Sequence, residues 1–134
     1  MLEASKAAAR ILVQDLHRAK PFYAQKPGLE PSEERPGGLL YHCGNGEFAL
    51  FESAGAASGD HTQMAWEVED IEATVERLRA CGVVFEEYDI LGPEDGQRDR
   101  PGPRELPEQG GAGEKAAWFR DSEGNLLGMG QPLS

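Results

Sequence analysis

One supersecondary pattern occurs twice in this chain, and that repetition constrains the fold more than any other feature. Val68-Glu69-Asp70-Ile71 matches Val13-Gln14-Asp15-Leu16 at an offset of 55 residues, and Gly82-Val83 matches Gly28-Leu29 at an offset of 54. The second copy is the clearer one. Met64, Trp66 and Val68 alternate with Ala65 and Glu67, the period of a half-buried strand. Asp70 stands at an N-cap position, where its carboxylate can accept unpaired N–H groups of a first helical turn. Ile71, Val75, Leu78 and Cys81 follow on one helical face, and Gly82 ends the helix. Val83, Val84 and Phe85 begin a new extended run. A duplicated unit of this size implies two modules, neither large enough to close its own core.

In the first copy, residues 8–14 (AARILVQ) alternate as a strand, and a helix runs from Asp15-Leu16 to about Lys26. Pro21 is expected in the first turn, where a missing N–H costs little, and Pro27-Gly28 stops the helix. Short extended runs follow at 29–34, 38–43 and 47–52, with Asn45-Gly46 as a hairpin signal. Residues 54–60 (AGAASGD) read as a linker between the halves. In the second copy a strand is expected at 85–90. Residues 92–113 read as a long loop, since ten of the 22 are Gly or Pro and eight are charged. A final hairpin spans 115–121 and 125–130. The order is βαβββ twice, an α+β chain. Its modules lie at about 8–53 and 61–131 within a single domain of 134 residues.

A net charge of −11 disfavours nucleic acid and anionic membrane surfaces, both of which need a basic footprint. No apolar run is long enough to span a bilayer. Cys43 and Cys81, 38 positions apart, do not form a disulfide framework, which points to a reduced, cytoplasmic setting with Cys81 in the core. No P-loop or G-x-S-x-G elbow is present. Glu67 and Glu69 lie two apart, with no sign of an acid/base pair, and nothing places a base beside Cys43. His17 and His42 have no H-x-E or H-x-x-x-H partner.

Three segments carry a resemblance: VQDL…FY…PGL (13–29), WEVEDIEATV…LRACGV (66–83) and AWFRDSEGNLL (117–127). Together they resemble the vicinal oxygen chelate superfamily of glyoxalases, bleomycin-resistance proteins and extradiol dioxygenases. The resemblance implies two βαβββ modules forming an open eight-stranded mixed sheet around a cavity, helices outside, often in a homodimer. It does not fix the chemistry, because one fold hosts many functions.

Metal-dependent members place His, Gln or Glu seven residues before each strand-end Asp, and again near the end of the last strand. Here those positions fall on Ala8, Gln63 and Gly128. Ala8 and Gly128 carry no donor atom. Glu52 on the fourth strand does, and His61 could substitute on the fifth, so a metal, if held, would use His61, Gln63 and Glu52. The strand parity implied by the resemblance turns Arg10 and Leu12, Gln63 and Glu67, and Trp118 and Arg120 toward the cavity, with Phe48, Leu50 and Glu52 beside them. Trp118 could stack on a planar ligand, Glu52 or Glu67 could hold a cation, and Arg10 could instead pair with Glu67. The expectation is a small-molecule-binding protein that sequesters a planar or amphipathic ligand without metal or other cofactor. The alternative is a metal-dependent glyoxalase- or dioxygenase-like enzyme with a displaced ligand set. Whether any reaction is catalysed stays open at this point.

Overall fold

The computed structural model describes residues 1–57, 61–86, 104–106 and 114–132. The elements run β1 (Ala9–Val13), α1 (Leu16–Gln25), β2 (Glu33–Arg35), β3 (Gly38–Cys43), β4 (Gly46–Glu52), β5 (Thr62–Glu67), α2 (Ile71–Ala80), β6 (Arg104–Leu106), β7 (Glu114–Arg120) and β8 (Leu126–Pro132). This is βαβββ twice. Each module makes a four-stranded mixed sheet, in the orders β1-β4-β3-β2 and β5-β8-β7-β6. The first strand of each module pairs in parallel with its last, and the remaining pairings are antiparallel. The eight strands are therefore split between two sheets, whose edge strands β1 and β5 lie close together.

Both helices start where an aspartate can cap them. Asp15 Oδ1 accepts from the backbone N–H of His17 at 2.9 Å, and Asp70 Oδ1 from that of Ala73 at 3.1 Å. A second acceptor reaches each helix from the last strand of its own module. Glu52 Oε2 takes the N–H of Leu16 at 3.3 Å, and Gln131 Oε1 takes that of Ile71 at 2.8 Å. Gly82, with φ +94°, closes α2. Lys26 Nζ from the end of α1 bonds the Cys81 carbonyl at 2.6 Å, joining the two helix C-termini.

Each sheet buries one face under its helix. Ile11, Val13, Leu39, Tyr41, Phe48 and Leu50 are buried with Ala19 and Tyr23 of α1. Ala117, Phe119, Leu127 and Met129 are buried with Ile71, Val75 and Leu78 of α2. Aromatic rings carry this core across the module seam. Tyr41 stacks on Phe48 at 4.8 Å, Phe48 meets Trp66 edge-on at 6.0 Å, and Trp66 stacks on Phe119 at 6.2 Å.

A polar clamp reinforces the seam. The turn between β7 and β8 is ordered by Asp121, whose Oδ1 accepts from the N–H groups of Glu123 and Asn125. Tyr23 of α1 donates its hydroxyl proton to Asp121 Oδ2 at 2.7 Å, and Asn125 Nδ2 donates to the Leu12 carbonyl at 2.9 Å. The Glu123 carboxylate sits at the N-terminus of α1. It accepts from the N–H groups of Gln14 and Asp15 and forms a two-point ion pair with Arg18 at 2.6 and 2.7 Å. The Arg18 guanidinium holds the Glu123 carboxyl down to about 2, from an ordinary value of 4.5.

Five local expectations are corrected. Pro21 is the sixth residue of α1 rather than a first-turn residue, because the Asp15 cap fixes the start at Leu16. Cys81 is the exposed C-cap of α2, not part of the core. The hairpin between β3 and β4 turns on Gly44-Asn45 rather than Asn45-Gly46. Gly44 supplies the positive φ of +56°, and Gly46 already pairs with Cys43. Of the strand expected at 29–34 only Glu33–Arg35 pairs as β2. Of that expected at 85–90, Phe85 makes a single bridge to Phe119 and residues 87–90 lie outside the described residues. A strand, β6, also forms inside the stretch expected to be loop, where its register is set by pairing with β7.

Candidate functional site

The sheet faces turned away from the helices are open. On the second module this face forms a cleft of about 350 Å³ lined by Thr62, Ala65, Trp66, Glu67, Ala116, Trp118, Gly128, Met129 and Gly130. Its floor is built from small residues. Ala65 lies opposite Gly128, and Glu67 opposite Gly130, on the parallel β5–β8 pair. Trp118, opposite Gly128 on β7, lays its indole across that glycine and donates from Nε1 to Thr62 Oγ1 at 3.2 Å. A Cβ at position 128 would stand 3.2 Å from both Cδ1 and Nε1 of Trp118 and 3.3 Å from Thr62 Cγ2. Gly128 is thus the residue that lets the ring lie down.

The β5–β8 register slips between Thr62 and Met64. This bulge changes which side chains face the cleft, since an extra residue on one strand reverses the alternation behind it. Thr62 and Ala65 line the cleft together, and Gln63 does not line it. The resemblance implied Gln63 there, and the bulge is the physical reason that Thr62 lines the cleft instead.

The remaining expected site residues divide. Glu67 and Trp118 line the cleft. Arg10 and Leu12 lie on the open face of the first sheet, exposed, with Leu12 at 46%. Arg10 makes no ion pair with Glu67. Phe48 and Leu50 are corrected: they are buried to 2% and 0% exposure under α1, because they share the face of Ile11 and Val13. Ala49 and Phe51, of opposite parity on β4, take the open side. Glu52 also belongs to the α1 side, where its carboxylate serves Leu16 N–H. Arg120 is corrected too, as it lies outside the cleft lining and binds the Gly124 carbonyl at 2.9 Å and Glu86 at 3.4 Å. His61 is exposed just before β5, and His42 pairs with Glu47 at 3.3 Å.

The donor atoms do not fit a divalent metal. Position 128 is covered by an indole, Gln63 is carried out of the cleft by the bulge, and Glu52 is engaged on the far side of its sheet. Among the described residues no three His, Cys, Asp or Glu side chains cluster in a way that could hold an ion.

A second cleft, of about 210 Å³, opens on the helix side at the module seam. Pro27, Leu29, Cys43, Trp66, Glu67, Val68, Thr74, Leu78, Phe119 and Met129 line it. Its walls are mostly apolar, and Glu67 is the side chain it shares with the open-face cleft along with Trp66 and Met129. Periodicity identified the strands that meet here but not the cleft between them, because the strands belong to different modules.

Solved structures resemble this one over nearly their whole lengths. A glyoxalase/bleomycin resistance protein/dioxygenase from Nocardioides is 20% identical with a TM-score of 0.70, covering 98% of this chain and 85% of that one. TnmS3, an antibiotic binding protein from Streptomyces sp. CB03234, is 20% identical with a TM-score of 0.67, covering 99% of each chain. The fosfomycin resistance protein FosX from Listeria monocytogenes is 14% identical with a TM-score of 0.66, covering 97% of this chain and 94% of that one. At these identities the likeness is one of fold. A comparison with curated protein sequences finds no significant match. No helix among the described residues is long and apolar enough to cross a membrane. The family profile of the Glyoxalase/Bleomycin resistance protein/Dioxygenase superfamily matches residues 7–129, and the chain belongs to that superfamily.

Proposed function

We propose that this protein binds a small planar or amphipathic molecule in the open-face cleft of its second module and sequesters it, without a metal. The observation that carries this reading is the Trp118–Gly128 contact. At the last-strand position where a metal-dependent relative would present a donor, this chain has a glycine, and the space is filled by an aromatic side chain. Apolar and aromatic walls with a few fixed polar groups suit small-molecule binding. Among the described lining residues Thr62 and Glu67 supply polar groups, and Trp66 and Trp118 are aromatic. That an antibiotic binding protein and a fosfomycin resistance protein share the fold supports a small-molecule ligand.

The same reading places the protein in a reduced, cytoplasmic setting as a homodimer. Free Cys43 and Cys81 support the first. The exposed Leu12, beside partly exposed Leu40, Ala49 and Phe51 on the open face of the first sheet, supports the second. Light scattering on the purified protein gives the mass, with twice the chain mass expected.

The test is to screen planar aromatic compounds by calorimetry against the parent and Trp118→Ala, with turnover of hemithioacetals and catechols measured in parallel, with and without added divalent ions. Binding that depends on Trp118, without turnover, is the expected result. Metal-dependent turnover abolished by removing His61 or Glu52 would establish the enzymatic alternative instead.

A further inference from the structure

Glu67 is a charged side chain common to the two clefts, and among their described lining residues it is the only Asp, Glu, Lys or Arg. Its carboxylate has no ion-pair or hydrogen-bond partner among the described residues, and the residue is exposed at the end of β5. Several other acids of the fold are engaged. Glu123 is satisfied by Arg18, Glu72 by Lys115, Glu47 by Lys6 and His42, and Glu52 by a helix N–H. Among the described residues, a molecule in either cleft therefore meets the negative charge of Glu67.

The register gives the spacing along the strand between the position of Glu67 and that of the indole. Glu67 stands opposite Gly130, and Trp118 lies across Gly128, two residues back along the same strand. Two strand residues span about 7 Å. Between them the cleft is lined by the small residues Ala65 and Gly130, beside the glycine that the indole covers.

We infer that the ligand of the open-face cleft is a monocation, with a flat aromatic ring set against Trp118 and a protonated amine about 7 Å away at Glu67. This rests on the reading of the cleft as the binding site and adds the charge and shape of what it takes. An amine N–H donating to the Glu67 carboxylate gains a charge-assisted hydrogen bond. A carboxylate or phosphate on the ligand would meet a like charge in the same place. The −11 net charge of the chain works in the same direction, raising the local concentration of cations.

Three probes of one shape separate the possibilities: 2-(2-naphthyl)ethylamine, the matching neutral alcohol, and 3-(2-naphthyl)propionate. Calorimetry at low salt on the full chain is expected to rank the amine about tenfold tighter than the alcohol, and the alcohol tighter than the acid. In Glu67→Gln the advantage of the amine over the alcohol should vanish. Trp118→Ala should weaken all three. If Trp118→Ala weakens binding but the amine has no advantage, or keeps it in Glu67→Gln, the cleft stands and the inference of a cation fails. If none of the three binds, or Trp118→Ala changes nothing, both the cleft reading and this inference fail.

Discussion

Substituting Gly128 by Ala tests whether the glycine exists to seat an indole. The added Cβ would lie 3.2 Å from Trp118 Cδ1 and Nε1 and 3.3 Å from Thr62 Cγ2. Relaxed contacts between such atoms fall at about 3.5–4.0 Å, so each is short by roughly 0.2–0.8 Å. The φ of Gly128 is not in the left-handed region, so the cost is steric and not one of backbone strain. Small-to-large changes of this kind cost about 1–3 kcal/mol. Losing the Nε1–Thr62 hydrogen bond adds about 0.5–1.5 kcal/mol if the ring is displaced. Trp118 is only partly buried and can swing outward, which favours the low end. We expect a loss of about 1–2 kcal/mol, or a Tm lowered by ~3–9 °C for a chain of this size. Thermal unfolding followed by circular dichroism reads the stability, and the Trp118 indole N–H resonance reads the ring. The control is Trp118→Leu, in whose background Gly128→Ala should cost clearly less than in the parent, because the clashing ring is gone and the Thr62 contact alone remains. If Gly128→Ala melts within 1 °C of the parent, or costs as much with the ring removed, the reasoning is wrong.

The clamp at the module seam gives a pH prediction. The Glu123 carboxyl is held down to about 2, below its ordinary 4.5, so it stabilises the fold fully above about pH 4.5 and loses that contribution as the pH falls toward 2. Its side chain is 1% exposed, and the contribution is on the order of 2 kcal/mol. Glu123→Gln should therefore be less stable than the parent at pH 7 and nearly equal to it at pH 2, as read by urea midpoints at both pH values. Tyr23→Phe removes the hydroxyl that donates to Asp121 and should cost about 1–2 kcal/mol in urea unfolding, with the m-value unchanged. Thr62→Val keeps the shape and removes the acceptor of Trp118 Nε1. A loss of about 0.5–1.5 kcal/mol and a shifted indole N–H resonance are expected, with no shift at Trp66.

What could be read from the sequence follows from the range of the forces involved. The Asp15 and Asp70 caps and the glycine stop at Gly82 act within a few residues, so both helices were visible in local pattern. The repeat showed that there are two modules. It did not show that Glu123, more than 100 residues from Arg18, would cap α1, although a turn with Asp121, Glu123 and Asn125 so close together is rich in polar groups for plain loop closure. At the candidate site, Glu67 and Trp118 followed from the strand parity that the family resemblance implies. Thr62 did not, because a bulge between Thr62 and Met64 depends on the strand beside it. Phe48 and Leu50 were misplaced because alternation defines two faces without saying which is covered. Pairing with Ile11 and packing against α1 decided that. Gly128 was recognised only as lacking a donor, since its role is set by the ring of a residue on the adjacent strand.

Anomalous diffraction from crystals grown in turn with zinc, nickel, manganese and iron(II) measures the central claim most directly. The account predicts no ion in the open-face cleft and the Trp118 indole resting on Gly128 in every data set. An anomalous peak there, coordinated by three or more side chains with the indole displaced, would contradict it.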